Sequence, residues 1–180
     1  MLRKMKKALL RCVLFAIALI VLLSVAITVP LRWVAPPTTA FILRENGLTS
    51  EGLYATWVPI DQISLSMSLA VVASEDQKFP THAGFDMDSI EKALRENRGR
   101  MRGASTITQQ LAKNLYLWPG RSLVRKGVEA WFTLLLEFSL PKKRIMEIYL
   151  NVVEFGPGIF GIERAAKVHF NKTPDSLSFR

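Results

Sequence analysis

The sequence has very little cysteine. Cys12 is the single one among 180 residues, and it lies inside an apolar run. One cysteine excludes an intrachain disulfide and any metal site built from several cysteines. It does not identify a compartment, because many exported proteins also lack disulfides.

Acidic residues are missing from the first 44 positions, which hold seven basic ones. From residue 45 onward, 17 basic and 15 acidic residues leave a charge of only +2 out of the total of +9. A nucleic-acid-binding domain would carry its basic surface on the folded part. The charge distribution therefore argues against nucleic acid as a partner.

Charge is also absent from residues 12–29. Eighteen helical residues extend about 27 Å, close to the thickness of the hydrocarbon core of a bilayer. The basic residues before the run favour a cytoplasmic N-terminus. We therefore predict a cytoplasmic basic tail over 1–11, a transmembrane helix over 12–29, a linker over 30–44 kept extended by its prolines, and one domain over 45–180.

A cleaved signal peptide is the alternative for the N-terminus. Ser24-Val25-Ala26 offers small residues at a suitable cleavage spacing. The apolar run is, however, longer than the roughly 7–15 residues of a signal sequence. The sequence thus favours an uncleaved anchor.

After residue 60 the pattern is mainly helical, which predicts a mainly α fold. Asp61 is the expected N-cap of a helix to Asp76, and Thr106 with Gln109 has capping-box spacing. Ser122 is the expected N-cap of a long helix over 123–139. Further helices are predicted over 87–97 and 141–154, whereas 41–59 predicts a loop or short strand.

Two glutamates are candidates for chemistry. Glu75 ends a predicted helix, where the negative end of the helix dipole favours proton uptake, as suits a general base. Its alternative role, shared with Asp76, is that of a solvated acid at a helix end. Glu129 lies mid-helix, and its alternative role is an ordinary surface pair with Arg125, four residues earlier.

Cationic and amide side chains recur at helical spacing on two predicted helices. One helix face carries Arg121, Arg125 and Glu129, and a face of the preceding helix carries Thr106, Gln110 and Lys113. Adjacent helices could direct these cations to one place beside a carboxylate, which fits a phosphorylated ligand. A solvated basic face explains the same spacing.

Five segments in order carry a more specific signal. They are SEDQKF at 74–79 with His82 and Gly84-Phe85-Asp86; GASTITQQLAKN at 103–114; Arg121-Ser122 with Arg125-Lys126 and Glu129-Ala130; KRI at 143–145 with YLN at 149–151; and GIE at 161–163 with Ala165-Ala166. Together they resemble the five motifs of the peptidoglycan glycosyltransferase family. The residues within these motifs are most similar to those of its monofunctional members, which have a single membrane anchor.

The resemblance implies a lysozyme-like bilobal domain with its smaller lobe near the membrane. It also implies polymerisation of lipid II into β-1,4 glycan strands with release of undecaprenyl pyrophosphate. Glu75 matches the catalytic base and Glu129 the second essential glutamate. The positions that match substrate-binding residues are Ser105, Thr106, Gln110, Lys113, Asn114, Arg121 and Arg125.

The resemblance further implies the surroundings of the enzyme. A divalent cation, Mg²⁺ or Mn²⁺, can accompany the pyrophosphate, and no organic cofactor is expected. The expected partners are lipid II, the growing lipid-linked glycan chain, the membrane, and other proteins of cell-wall synthesis and division. The expected location is the bacterial inner membrane, with a single span and a periplasmic catalytic domain.

The sequence departs from the family pattern at its C-terminal end. The pattern continues past Arg180 with an Ala-rich helix, so the end of the domain is expected to be incomplete. Three rival functions also stay open. A lysozyme-type hydrolase would share the fold, but it would not need the cations. A fragment of a bifunctional penicillin-binding protein is the second rival, and a non-catalytic membrane scaffold is the third.

Overall fold

A computed structural model describes residues 2–46, 57–95, 105–120 and 122–178. Helices dominate this part of the chain, in agreement with the predicted mainly α class. The α-helices are α1 (Leu2–Thr28), α2 (Ala40–Asn46), α3 (Leu65–Glu75), α4 (Met87–Arg95), α5 (Ile107–Tyr116), α6 (Leu123–Ser139), α7 (Lys142–Val152) and α8 (Ile162–Phe170). A short antiparallel hairpin joins α7 to α8, with strands β1 (Glu154–Gly156) and β2 (Ile159–Phe160).

The core forms where α5 packs against α6 and α7. Both α5 and α7 present apolar residues at helical spacing, so one face of each is withdrawn from water. The fully buried side chains here include Ile107, Leu111, Leu136, Ile145, Ile148 and Leu150. This packing fixes the start of α5 beside the end of α3, where the candidate site lies.

Local capping confirms several predicted helix ends. Thr106 and Gln109 form the capping box of α5, and the Ser122 side chain accepts a hydrogen bond from the amide of Arg125 at the start of α6. The predicted N-cap of α3 is wrong. Asp61 lies in a single 3₁₀ turn, and Ser64 caps the helix by accepting from the amide of Ser66.

The segment after the first helix is more structured than its prolines suggest. Val29–Arg32 forms a 3₁₀ turn, and α2 occupies part of the range predicted as loop or strand. Leu31 is buried in the main core, so an extended spacer is the wrong conformation here. The division into tail, span, linker and domain stays a prediction.

Helix α1 is long and apolar enough, by length and composition, to cross a membrane. Its C-terminal part contacts the helical domain. The hydroxyl of Ser24 accepts from Trp131 Nε1 at 3.1 Å, and the Thr28 hydroxyl lies 3.3 Å from that of Tyr116. Helix α1 is therefore packed onto α5 and α6.

Candidate active site

A cavity of about 270 Å³ opens between the end of α3 and the start of α5. Polar side chains dominate its wall. The lining residues are Ala73, Ser74, Glu75, Asp76, Gln77, Lys78, Asp86, Ser89, Ser105 and Thr106. A polar, open cavity of this kind suits a hydrophilic substrate group such as a sugar.

Glu75 stands at the edge of this cavity as the last residue of α3, and it is exposed. Its Oε2 accepts a hydrogen bond from Gln110 Nε2 at 2.8 Å. Gln110 in turn accepts from the Tyr149 hydroxyl at 3.0 Å. The carboxylate is thus oriented by a neutral donor and stays open to a ligand, which a general base requires.

Tyr149 completes this chain from α7. Burial raises the pKa of the Tyr149 phenol well above its ordinary value of 10.0, and the negative charges of Glu75 and Asp76 raise it further. The phenol therefore remains a proton donor to Gln110 at neutral pH. Sequence reasoning placed Tyr149 in a motif without giving it a role, because its contact with α5 is purely tertiary.

Asp76 is buried, unlike a solvated acid at a helix end. It accepts from the amide of Ile107 at 2.9 Å and lies 2.8 Å from His82 Nε2. The amide of Gly84 donates to His82 Nδ1 at 3.0 Å, so Nδ1 carries no proton and Nε2–H is the donor to Asp76. This network ties the end of α3 to the first amide of α5.

Thr106 joins the same network at the N-cap of α5. Its hydroxyl donates to the carbonyl of Gly84 at 2.7 Å and accepts from the amide of Gln109. Gly84 has φ +87°, and a Cβ there would lie 2.8 Å from a Thr133 methyl carbon. A glycine is therefore required where the loop crosses α6.

Glu129 occupies a different place, nearly buried on α6. Arg125 Nη1 donates to its Oε2 at 2.8 Å, and Lys126 Nζ donates to its Oε1. The side chains of Arg125 and Glu129 are only 11% and 4% exposed, so the pair is buried and differs from the ordinary surface pair considered above. Glu129 therefore holds two cations in fixed positions.

The described residues do not fit a divalent cation held by the protein. No group of three or more histidine, cysteine or acidic residues is arranged to hold a metal in those parts of the chain. Both oxygens of Glu129 are taken by cationic side chains, and Asp86 is bonded to Lys78 and Ser89. The open carboxylate of Glu75 by itself offers too few oxygens to hold such an ion.

Comparison with known proteins supplies the family. The family model described as Transglycosylase matches residues 44–180. The biosynthetic peptidoglycan transglycosylase of Pseudomonas fluorescens (strain Pf-5) is 50% identical over 162 residues, covering 86% of this chain and 68% of the relative. Proteins of the same name from Pasteurella multocida (strain Pm70) and Aeromonas hydrophila subsp. hydrophila are 50% and 51% identical, covering 91% and 87% of this chain and 69% of each relative.

The chain belongs to the transglycosylase family.

The residues that the transglycosylase motifs single out do not all meet at the cavity. Glu75, Ser105 and Thr106 line it, and Gln110 reaches it through Glu75. Lys113, Asn114, Arg125 and Glu129 do not line it within the described residues. Arg121 lies outside the described residues.

Lys113 and Asn114 lie on α5, one turn after Gln110. The ammonium of Lys113 lies 5.5 Å from the ring centroid of Phe41 on α2, and Asn114 is buried. The expectation that Lys113 and the cations of α6 converge at one carboxylate stays a prediction. Among the described residues that line the cavity, the cationic side chain is that of Lys78. The sequence motifs gave Lys78 no separate role.

Proposed function

We propose that this chain is a peptidoglycan glycosyltransferase that polymerises lipid II and releases undecaprenyl pyrophosphate. The observation that carries the proposal is the exposed Glu75, oriented by Gln110 at the edge of a polar cavity. Membership of the transglycosylase family supports the reaction class. The names of the relatives, biosynthetic peptidoglycan transglycosylases, support peptidoglycan as the product.

In the proposed reaction Glu75 takes the proton from the 4-hydroxyl of the acceptor N-acetylglucosamine. That oxygen attacks the anomeric carbon of the donor N-acetylmuramic acid, and the bond from this carbon to the lipid pyrophosphate breaks. The result is a β-1,4 bond with inverted configuration. Gln110 and Tyr149 hold the carboxylate in place during the proton transfer.

The leaving group explains the need for cations. A glycoside hydrolase protonates an alkoxide with a carboxylic acid, whereas a pyrophosphate leaves as an anion and needs its charge neutralised. We assign that role to Lys113, Arg121 and Arg125, with Glu129 keeping Arg125 in position. Any Mg²⁺ or Mn²⁺ would be held by the diphosphate oxygens and water, as is usual for magnesium.

The substrate requires a membrane location, and we propose that α1 anchors the chain in the bacterial inner membrane. The absence of acids and the presence of basic residues before the apolar run favour a cytoplasmic N-terminus and a periplasmic domain. Ser105, Thr106 and Asn114 are assigned to the substrate cleft. Proteins of cell-wall synthesis and division are proposed partners.

The deciding experiment incubates the full chain with fluorescent lipid II in detergent. A ladder of glycan polymers is expected, and Glu75→Gln serves as the matched inactive control. Digestion of purified cell wall without polymer formation would instead identify a hydrolase. Absence of both activities would leave a scaffold and overturn the proposal.

A further inference from the structure

A second cavity, of about 470 Å³, lies apart from the candidate active site. It is bounded by the turn before α3, by α3 itself and by the first turns of α7. Apolar side chains form most of its lining, with two lysines and one aspartate. The residues that matter are Ile63, Val72, Phe79, Met146, Lys142, Lys143 and Asp61.

The cations of this cavity are placed against the usual preference of a helix. Lys142, Lys143 and Arg144 fill the first turn of α7, which contains no acidic residue. The N-terminal end of a helix carries partial positive charge, so cations there are unfavourable and an anion is favourable. A bound anion would relieve this accumulation of positive charge.

The exposed ion pair of Lys143 leaves room for such an anion. Lys143 pairs with Asp61 at 2.6 Å, but their side chains are 65% and 80% exposed. Exposed pairs of this kind contribute little to stability and open readily. Lys142 pairs with Glu137 at 2.7 Å and lies 4.6 Å from the ring centroid of Phe79, at the apolar wall.

The anchor fixes the level of this cavity relative to a membrane. Arg144 Nε donates to the carbonyl of Leu31 at 2.8 Å, and Arg32 Nη1 donates to that of Ser139 at 3.2 Å. The start of α7 is therefore held where the anchor ends. Lys142 and Lys143 lie in the same helical turn as Arg144, so their backbones are within about 5.4 Å of it along the axis of α7. If α1 spans a membrane, its end at this contact lies near the headgroup region of the bilayer.

We propose that this cavity binds an anionic phospholipid of the surrounding membrane. Its phosphate would lie between Lys142 and Lys143, and its apolar part would contact Ile63, Val72 and Met146. The charge of the rim, the apolar wall and the level of the anchor's end together select this ligand. The proposal rests on the anchoring role of α1 and does not depend on the glycosyltransferase reaction.

The test uses the full chain in phosphatidylcholine vesicles without lipid II. A trace of phosphatidylglycerol carries a photoreactive group near the top of its acyl chain, and adducts are mapped by mass spectrometry. Labelling of cavity residues is expected, with much weaker labelling by phosphatidylcholine that carries the same group. Each lysine near an anionic lipid contributes a factor of about five. Lys142→Gln/Lys143→Gln should therefore lower the labelling about 25-fold.

Three variants keep the outcome interpretable. Lys142→Arg/Lys143→Arg keeps both charges and should retain the labelling. Arg164→Gln/Lys167→Gln removes the same amount of charge from an exposed face of α8 and should leave the labelling unchanged. Lys143→Gln alone alters a mostly exposed side chain and guards against misfolding of the double variant. It should lower the labelling by a smaller factor.

Several results would overturn the proposal. Equal labelling by both lipids, or labelling that survives loss of the lysines, would exclude an anionic-lipid site. If no adducts formed on the cavity residues, the cavity would not be a lipid site, and a protein partner would be the remaining occupant. Release of the chain from vesicles by alkaline carbonate would contradict both the anchoring role of α1 and the lipid site. The glycosyltransferase proposal is tested separately, by polymerisation of lipid II in detergent.

Discussion

Glu75 and Glu129 are both carboxylates on helices, yet their surroundings differ in every respect. Glu75 is exposed at a helix end and accepts from one neutral amide, whereas Glu129 is buried mid-helix between Arg125 and Lys126. An open carboxylate with a neutral partner can take a proton from a substrate. A buried carboxylate that neutralises two cations is committed to holding them. The contrast teaches that the two glutamates cannot exchange roles.

The largest expected effect tests the open carboxylate. Glu75→Gln keeps the shape and the chance of a hydrogen bond with Gln110 but removes the proton acceptor. General base catalysis contributes about 10²–10⁴-fold, so the rate of lipid II polymerisation should fall by that factor. The melting temperature should barely change, because the side chain is exposed. Retained turnover would remove Glu75 from the base role.

The buried carboxylate should respond mainly in stability. Glu129→Gln leaves the Arg125 guanidinium buried without its counter-ion, and Arg125 Nε already lacks a hydrogen-bond partner within the described residues. Breaking a buried pair in this way costs about 3 kcal/mol. Chemical unfolding in detergent measures the loss.

A matched control for Glu129 exists on α4. Glu91 and Arg95 form an ion pair with the same four-residue spacing, but both side chains are mostly exposed. Glu91→Gln should therefore change stability very little. If Glu129→Gln were equally harmless to stability while abolishing polymerisation, Glu129 would belong with Glu75 in the chemistry.

Lys113→Ala asks whether α5 supplies charge to the leaving group. Loss of one positioned donor to a developing anion costs about a hundredfold in rate. Stability should fall by less than about 1 kcal/mol, the size of a cation–π contact with Phe41. Phe41→Leu removes that contact alone and should leave the rate unchanged. Proportional losses of rate and stability for Lys113→Ala would indicate a structural role.

The smallest effect concerns Tyr149. Tyr149→Phe removes the hydrogen bond to Gln110, which contributes about 0.5–1.5 kcal/mol, so the rate should fall about two- to tenfold. The raised pKa of Tyr149 adds a pH signature. As pH rises above about 10 the unfolded chain loses this proton first, and stability falls.

Tyr149→Phe has no phenol to ionise, so it should lack the part of the stability loss above about pH 10 that Tyr149 causes. Thermal melts of Tyr149→Phe and of the unchanged protein, at neutral pH and above pH 10, measure this difference in stability. Parallel stability curves for Tyr149→Phe and the unchanged protein would show that the phenol ionises as freely in the fold as in the unfolded chain.

Much of the fold followed from local chemistry. The capping box of Thr106 and Gln109 and the N-cap of Ser122 depend on side chains within three residues of the amides they bind, so their spacing predicts them. The failures have tertiary causes. Ser64 took the role expected of Asp61, and α2 formed in a segment of mixed character because it packs against α5.

The candidate site divides in the same way. The motifs alone designated Glu75, Glu129 and the cations, since residue type and order carry that information. Whether a carboxylate is open or enclosed depends on which distant segments pack around it, as Gln110 lies 35 residues beyond Glu75 and Tyr149 a further 39. The sequence by itself determined the long apolar first helix, most of the helices after residue 60 and the family. Only the tertiary structure decided which glutamate faces solvent, because burial arises from contacts between segments that no local pattern records.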